Sequence, residues 1–240
     1  MRAIRTTTIS ILALGLLAGS AVGVAAQDEE AAGPVSGPLP AGTGPLAPGT
    51  YTDSALGHTL TLTVGDGWSI GGESLEGVGV DLVPEPFTYD GPEGMGFVGI
   101  TRTDGAVFDP PCVPAGGDPG VFQEEAATSI EPTAAALAEH LASNPYLETT
   151  EPAEIEVAGY GGVQLDAVAN VGPECEFPAT FLWANAMWRL SDGYQARYHF
   201  IDVGGEVVAI VLEASPDVDL DELAAAAAPV IDSMSIEPAE

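Results

Sequence analysis

Residues 188–214 read WRLSDGYQARYHFIDVGGEVVAIVLEA, and this stretch decides the fold class. The Asp-Gly pair at 192–193 and the Gly-Gly pair at 204–205 are both signals of a two-residue hairpin turn. Residues 194–203 and 206–214 have the apolar, β-branched and aromatic composition of strands. The pattern predicts a long antiparallel meander in which each turn reverses the chain.

Strand patterns also occur on both sides of this stretch. Residues 58–64 alternate, with Leu60, Leu62 and Val64 on one face and threonines on the other. Further strands are predicted at residues 68–70, 78–83, 97–103, 155–157, 162–170, 180–190 and 234–236. A Pro/Gly-rich loop is expected over residues 109–120.

Two helices complete the predicted architecture. The first begins near Pro132, because proline is tolerated in the first turn of a helix, and continues through the alanine-rich residues 134–142. The second spans residues 219–232 and is expected to kink at Pro229. Because strands and helices do not alternate as βαβ units, we predict a single α+β domain. Its antiparallel, meander-rich β-sheet carries two main helices packed on it.

The N-terminus has the pattern of an export signal. Arg2 and Arg5 precede an apolar run at residues 9–17 that is too short to span a bilayer, and small residues lead up to Ala26. Residues 1–26 are therefore predicted to be a secretory signal peptide. The alternative is an uncleaved anchor helix.

The segment after the predicted signal has no core-forming composition. Residues 27–49 are rich in Pro, Gly and Ala, and we predict a disordered tether there. The ordered domain is expected over residues 50–240. No later segment is long and apolar enough to cross a membrane, so the mature protein is expected outside the cell or on the exterior of the cell envelope.

The charge of the chain excludes one class of partner. Asp and Glu number 36 against five Lys and Arg, which gives a formal net charge of −31. Loss of Arg2 and Arg5 with the signal peptide would change this to about −33. Such a surface repels phosphate backbones and anionic lipids, so nucleic-acid binding is not expected. The acidity is typical of solubility in general and equally of a saline or alkaline habitat.

The cysteine content points to the oxidising side of a membrane. Cys112 and Cys175 are the only two cysteines. In an exported protein an isolated pair is typical of a disulfide, and we predict one here. A redox or metal pair is the alternative, but neither cysteine lies in a C-x-x-C motif and no histidine is near either one.

Four short motifs carry a family resemblance. They are the strand, Gly-rich turn and Trp at 63–68, the helix ending in Asn-Pro-x-Leu at 137–147, the glycine-rich bend at 157–162, and the closing segment 229–236. Together they resemble a group of uncharacterised exported bacterial domains. More distantly, they resemble the α/β sandwich of photosystem II extrinsic subunit P and its bacterial relatives. The likeness covers most of residues 50–236. It implies a fold and an exported location, but it carries no catalytic residue and no cofactor.

One motif in the sequence matches that of a serine hydrolase. Residues 67–71 read G-x-S-x-G, with Ser69 at the position of the nucleophile. A nucleophile elbow needs a strand before the serine and a helix after it. Residues 72–77 do not predict a helix, so the hydrolase is kept only as an alternative.

Ligand motifs elsewhere are incomplete. Residues 94–99 match G-x-G-x-x-G but precede a strand instead of opening a helix. Asp217, Asp219 and Asp221 begin like a calcium loop that lacks its later glycine and glutamate, and they are expected to cap the second helix. The three histidines share no metal-ligand spacing, so no metal or cofactor is predicted.

The hairpin supplies the predicted binding residues. If the pair at 192–193 forms a two-residue turn, counting outward places Trp188 opposite Arg197 and Ala186 opposite His199. Trp188, Arg197 and His199 are then predicted to share one exposed face and to contact an anionic or aromatic group. His199 is expected to make this contact pH-dependent near neutrality. The alternative is a structural cation–π pair of Trp188 and Arg197, or a helix that covers this face.

These patterns favour a non-catalytic function. We predict an exported binding or interaction domain whose partner is an unknown ligand or an envelope protein. A secreted serine hydrolase that uses Ser69 and a structural envelope component are the two alternatives.

Overall fold

The computed structural model describes residues 35–54, 56–72, 79–89, 91, 93–183 and 186–238. These residues fall in one compact unit of α+β architecture, dominated by antiparallel sheets. The predicted signal peptide and the first part of the predicted tether lie outside the described residues.

The described residues contain eighteen strands and three helices. In chain order the strands are β1 (Val35–Pro38), β2 (Gly44–Leu46), β3 (Gly49–Asp53), β4 (Thr59–Val64), β5 (Trp68–Ile70), β6 (Gly79–Pro84), β7 (Gly96–Thr103), β8 (Ala106–Phe108), β9 (Cys112–Pro114), β10 (Ala127–Ser129), β11 (Leu147–Thr149), β12 (Ala153–Val157), β13 (Tyr160–Ala169), β14 (Cys175–Trp183), β15 (Ala186–Arg189), β16 (Gln195–Val203), β17 (Glu206–Ala214) and β18 (Ser235–Glu237). The helices are α1 (Pro119–Ala126), α2 (Ala134–Ala142) and α3 (Leu220–Asp232).

The largest sheet has nine strands and forms the middle of the fold. Its order is β11-β13-β16-β17-β7-β6-β5-β2, with β12 also paired to β13. A second sheet has the order β1-β3-β4-β18, in which only the β1–β3 pair is parallel. The third has the order β10-β8-β14-β15, and β9 pairs with β14.

Both faces of the nine-stranded sheet are buried, because alternate residues of its central strands point into two different cores. The first core packs α3 and the four-stranded sheet against one face, with Ile201, Ile210 and Leu223 at its centre. The second core packs α2 and the third sheet against the other face, with Phe181 and Phe200 at its centre. A strand covered on both sides reads as a continuous apolar run, which is the pattern of β17.

The second half of the predicted meander is confirmed. β16 and β17 pair over their whole length, from Gln195 opposite Ala214 to Val203 opposite Glu206. Gly204 and Gly205 form the turn between them with φ of 62° and 93°, a conformation that glycine adopts without steric cost.

The prediction for the first half of the meander is wrong. Residues 191–194 do form a turn, in which Tyr194 N–H donates to the carbonyl of Ser191 at 3.0 Å. The strands on either side do not pair with each other, because β15 pairs with β14 and β16 pairs with β13. Trp188 is therefore not opposite Arg197. The expected single strand over 180–190 is a hairpin of β14 and β15 in another sheet.

Two segments predicted to lack regular structure contain it. The expected loop over 109–120 holds β9 and the start of α1, so the described residues have three helices instead of two. Residues 35–49 of the predicted tether include β1 and β2. Both are edge strands, where proline and glycine are tolerated because one side of the strand needs no ladder hydrogen bonds.

Two polar caps fix the helices that cover the sheet. Thr133 caps α2 by accepting a hydrogen bond from Ala136 N–H at 3.2 Å, and Asp202 of β16 accepts from Ala134 N–H at 2.8 Å. Asp219 caps α3 by accepting from Asp221 N–H at 2.8 Å. The predicted capping role of the aspartates before α3 is thus confirmed for Asp219.

Candidate functional site

The predicted binding residues lie on opposite faces of the nine-stranded sheet. Arg197 and His199 share a face with Ile201, which belongs to the first core. Trp188 packs in the second core, 6.0 Å from the ring of Phe181. The predicted common face is therefore wrong. Binding by Arg197 and His199 stays a prediction, but for a surface other than the one Trp188 belongs to.

Arg197 is held by two carboxylates, one in β13 and one at the start of α3. Its Nε and a terminal nitrogen donate to the two oxygens of Asp166 at 2.7 and 2.8 Å, and the terminal nitrogen also donates to Asp221 at 2.9 Å. These bonds raise the pKa of Arg197. These hydrogen bonds join β13, β16 and α3. A concavity of about 580 Å³ beside them is lined by apolar residues and by two further acids, Asp217 and Asp219. Arg197 therefore has a structural role, and we call its paired contacts with Asp166 and Asp221 the Arg197 clamp.

His199 is buried and makes a contact of 3.0 Å with the side-chain oxygen of Gln164. Burial, with the nearby Arg197 charge, lowers the pKa of His199 to about 4. The imidazole is therefore neutral at physiological pH. The expectation that it titrates near neutrality is wrong, because the side chain is desolvated inside the first core.

Trp188 belongs to a different group of side chains, which lies on the other face of the nine-stranded sheet. The sheet register places Asp81 of β6 opposite Gly99 of β7, and Phe97 of β7 opposite Glu213 of β17. Asp81, Phe97 and Glu213 therefore project from one face of three adjacent strands. With Tyr89, Trp188, Met187 and Arg189 they line a pocket of about 230 Å³.

Two glycines lie against the aromatic side chains that line this pocket. A Cβ atom at Gly99 would meet the ring of Trp188 and would lie 3.0 Å from a carboxylate oxygen of Asp81. A Cβ atom at Gly72 would lie 2.7 Å from the hydroxyl of Tyr89. Glycine at these positions lets the two aromatic rings lie against backbone and keeps them beside the two acids.

Each acid of the pocket accepts a hydrogen bond from an aromatic side chain. Trp188 Nε1 donates to Oε2 of Glu213 at 3.0 Å, and the hydroxyl of Tyr89 donates to Oδ2 of Asp81 at 2.7 Å. Rings of Tyr89 and Phe97 meet edge to face at 5.1 Å between centroids, and Phe97 lies 6.0 Å from Trp188. The result is a continuous aromatic wall carrying two carboxyl groups.

Burial changes the chemistry of both acids. Desolvation raises the pKa of Glu213 to about 8. The hydrogen bond from Trp188 and the charge of Arg189 lower this pKa, whereas the charge of Asp81 raises it. Desolvation also raises the pKa of Asp81, against the hydrogen bond from Tyr89. At neutral pH the pair therefore holds a proton, and Glu213 is its site.

The donor set of this pocket suits an organic cation better than a metal ion. Aromatic faces attract ammonium groups, and carboxylates supply the opposite charge. A hard divalent ion takes six or more oxygen ligands, and water would have to supply most of them beside Asp81, Glu213 and one phenol. Within the described part of the chain no group of three or more His, Cys, Asp or Glu side chains could hold a metal ion.

Ser69 does not have the setting of a hydrolase nucleophile. It lies in the middle of β5, between β2 and β6, and its hydroxyl is 3.5 Å from the carbonyl of Val83. A nucleophile elbow requires a turn between strand and helix at this position. Residues 73–77, which follow the motif and do not predict the required helix, lie outside the described residues.

The predicted disulfide is confirmed. Cys112 of β9 and Cys175 of β14 are bonded, with their Cα atoms 5.8 Å apart and 63 positions apart in sequence. The bond fastens the third sheet at the point where β9 and β14 pair. None of the helices in the described residues is long and apolar enough to cross a membrane.

Sequence reasoning found Trp188 but missed Asp81 and Glu213. The signal for Glu213 is its position on β17, since it points to the same face as the core residues Val207, Ala209 and Val211 on a strand whose two faces are both apolar. An acid in phase with core residues is buried, and a buried acid needs a specific environment.

Comparisons with known proteins found distant structural likenesses. No family model matches the chain, and no curated protein matches its sequence. The solution structure of cyanobacterial PsbP (CyanoP) from Synechocystis sp. PCC 6803 has a TM-score of 0.40 and 13% identity, covering 82% of this chain and 97% of that chain. LpqN, involved in cell envelope biogenesis of Mycobacterium tuberculosis, has a TM-score of 0.35 and 15% identity, covering 82% and 91%. The predicted distant resemblance to subunit P is thus found, at a similarity too low to carry an argument about function.

Proposed function

We propose that this protein is an exported, non-catalytic binding domain whose ligand is a small organic cation with an ammonium group. The observation that carries the proposal is the pocket formed by Asp81, Tyr89, Phe97, Trp188 and Glu213. It combines two carboxyl groups with an aromatic wall in one small concavity.

The chemistry of ammonium recognition matches these residues. An ammonium group in contact with an aromatic face gains about 0.5–1 kcal/mol at an exposed site and more when it is desolvated. A carboxylate beside the ring adds the opposite charge, and the low local dielectric strengthens that attraction. The indole of Trp188 donates to Glu213 and the phenol of Tyr89 donates to Asp81, and these two hydrogen bonds hold the acids in position before a ligand arrives.

Pocket size and surface charge narrow the ligand class. A volume of about 230 Å³ lies below the range of about 300–1,000 Å³ that is typical of sites for drug-sized ligands. The ligand should therefore have few heavy atoms. A chain with a net charge of −31 attracts cations over long range and raises their concentration near the surface.

The export part of the proposal rests on two features. Arg2, Arg5 and the apolar run that follows have the pattern of a signal peptide. The disulfide between Cys112 and Cys175 is a bond that persists in oxidising compartments. These two features together support the proposed location outside the cell or on the exterior of the envelope.

Isothermal titration with choline at pH 8 and low salt tests the ligand class. Choline is small and permanently charged, and 3,3-dimethylbutan-1-ol is its neutral carbon isostere. We expect choline to bind and the isostere to bind at least tenfold more weakly. Equal affinities for the two would contradict a charge-recognising pocket, and so would undetectable choline binding.

Matched variants locate the site. Asp81→Asn and Trp188→Phe should each weaken choline binding, because one removes a charge and the other a larger aromatic face. Glu125→Gln, an exposed acid on α1, removes one negative charge without touching the pocket and should leave binding unchanged. Equal losses in all three variants would assign the binding to general surface charge.

A further inference from the structure

We propose that a proton and the cationic ligand compete for this pocket, so that an ammonium ion enters only as the carboxyl group of Glu213 releases its proton to solvent. The protein would then hold its ligand at neutral to alkaline pH and release it on acidification. This inference rests on the function proposed above and specifies how the same site is regulated.

Two acids lie in this small pocket, and burial raises the pKa values of both, so at neutral pH Glu213 is protonated. Asp81 lies opposite Gly99 of β7 and Glu213 lies opposite Phe97 of the same strand, on one face of the sheet, and the Glu213 residue is only 8% exposed. Their hydrogen-bond donors are an indole and a phenol, which carry no positive charge. Two like charges in one small desolvated space are unfavourable, so one acid keeps its proton until a cation arrives.

The other charged or titratable groups that face Glu213 do not replace that cation. Arg189 lines the pocket but is exposed, and its guanidinium lies over the ring of Phe177 at 4.5 Å. Among contacts between described residues it makes no ion pair with Asp81 or Glu213. Tyr198 from β16 is fully buried, and its pKa is raised by desolvation and by the Glu213 charge, so its phenol stays neutral.

The pKa of Glu213 lies in the range that a pH-dependent release of the ligand needs. Its pKa of about 8 leaves the carboxyl protonated at neutral pH in the empty pocket. When an ammonium ion enters, the O–H bond breaks and the proton passes to a buffer molecule. The carboxylate that remains still accepts the bond from Trp188 Nε1. One positive charge enters and one leaves, so the net charge of the pocket is unchanged.

Choline is a suitable probe because a quaternary ammonium has no proton of its own to lose. We expect its Kd to rise about tenfold for each pH unit below 8 and to level off above that value. At pH 7 the heat of binding should differ between phosphate and Tris, whose ionisation enthalpies differ, in proportion to the protons released. That number should approach one.

Glu213→Gln is the diagnostic variant, because a glutamine side chain can still accept the indole hydrogen bond but cannot titrate. It should remove both the pH dependence and the buffer dependence. The wild-type comparison of two buffers needs no variant and keeps the test valid if Glu213→Gln does not fold. Choline binding with the same Kd from pH 6 to 9 and equal heats in both buffers would overturn this inference alone. Absence of choline binding at every pH would overturn the proposed function and this inference with it.

Discussion

Trp188 donates its indole N–H to a carboxylate oxygen of Glu213 at 3.0 Å, and both residues are buried on one face of the nine-stranded sheet. A neutral donor compensates a buried carboxyl group far better than a buried carboxylate, because the desolvation of a full charge costs much more than one hydrogen bond returns. Burial therefore favours the protonated acid, even though the hydrogen bond from Trp188 by itself lowers the pKa of Glu213.

The first prediction concerns the pH dependence of folding. The pKa of Glu213 is about 8 in the folded protein and near 4.5 when unfolded, so the folded state binds the extra proton between these values. Stability from this group is fully present below pH 4.5 and is lost as the pH rises to 8. Glu213→Gln should remove a loss on the order of 4 kcal/mol. Urea unfolding of both proteins at pH 5 and pH 8 measures it, and an equal pH effect in the two would contradict the assignment.

The second prediction tests the close contact between Gly99 and the ring of Trp188. Gly99→Ala should destabilise the protein by about 1–3 kcal/mol, since the added methyl group would overlap the Trp188 ring. Gly161→Ala is the matched control in β13, where no atom outside the neighbouring residues lies within 4 Å of the position that a Cβ atom would take. Thermal unfolding should separate the two variants, and a neutral Gly99→Ala would mean that the ring does not rest on this backbone.

Much of the fold follows from local pattern, as β17 illustrates. Its bounds match the predicted residues 206–214, because a run of β-branched and aliphatic residues after a Gly-Gly turn leaves little alternative. The helix α3 was also predicted within one residue of its start at Leu220, from its aspartate cap and its alanines.

Partners of a strand are harder to predict than the strand itself. The Asp-Gly turn at 192–193 exists, yet the chain uses it to pass from one sheet to another. A turn reverses the chain locally but does not decide whether its two arms pair. The candidate site depends on such non-local pairing, since Asp81, Glu213 and Trp188 come from three distant segments. That is why only Trp188 could be proposed from sequence.

The third prediction concerns the Arg197 clamp. Replacing Arg197 by Met should cost about 1–3 kcal/mol, because Asp166 and Asp221 both lose a charged hydrogen-bond partner. Arg102→Met is the control. The Arg102 pair with Glu206 has both side chains more than 40% exposed, so its loss should cost under about 1 kcal/mol. Equal costs in denaturant unfolding would contradict the clamp.

The fourth prediction concerns the disulfide. Its closed loop spans 63 positions, so the loss of Cys112 and Cys175 in a double alanine variant should lower stability by about 2–4 kcal/mol. Reduction of the wild type should lower its melting temperature toward that of the variant. The variant itself should be indifferent to reductant, and a wild type equally indifferent would contradict a stabilising bond.

The last prediction separates the two buried titrating groups by the sign of their effects. Burial lowers the pKa of His199 from 6.5 to about 4, so the unfolded chain binds the extra proton between these values. Stability from neutral His199 is fully present above pH 6.5 and is lost as the pH falls toward 4. Glu213 acts in the opposite direction over pH 4.5 to 8, so the wild type combines a rising and a falling contribution.

His199→Gln should therefore remove the rise over pH 4 to 6.5, the acid slope, by an amount on the order of 3 kcal/mol, and leave a fall over pH 4.5 to 8. Glu213→Gln should remove that fall and leave the acid slope. The double variant should lose both slopes, because the two residues lie on opposite faces of the sheet and act independently. Unfolding free energies at pH 4, 5.5, 7 and 8.5 for the four proteins measure this. If His199→Gln keeps the acid slope, then His199 is accessible to protons in the folded state and the burial of its imidazole in the first core does not control its charge.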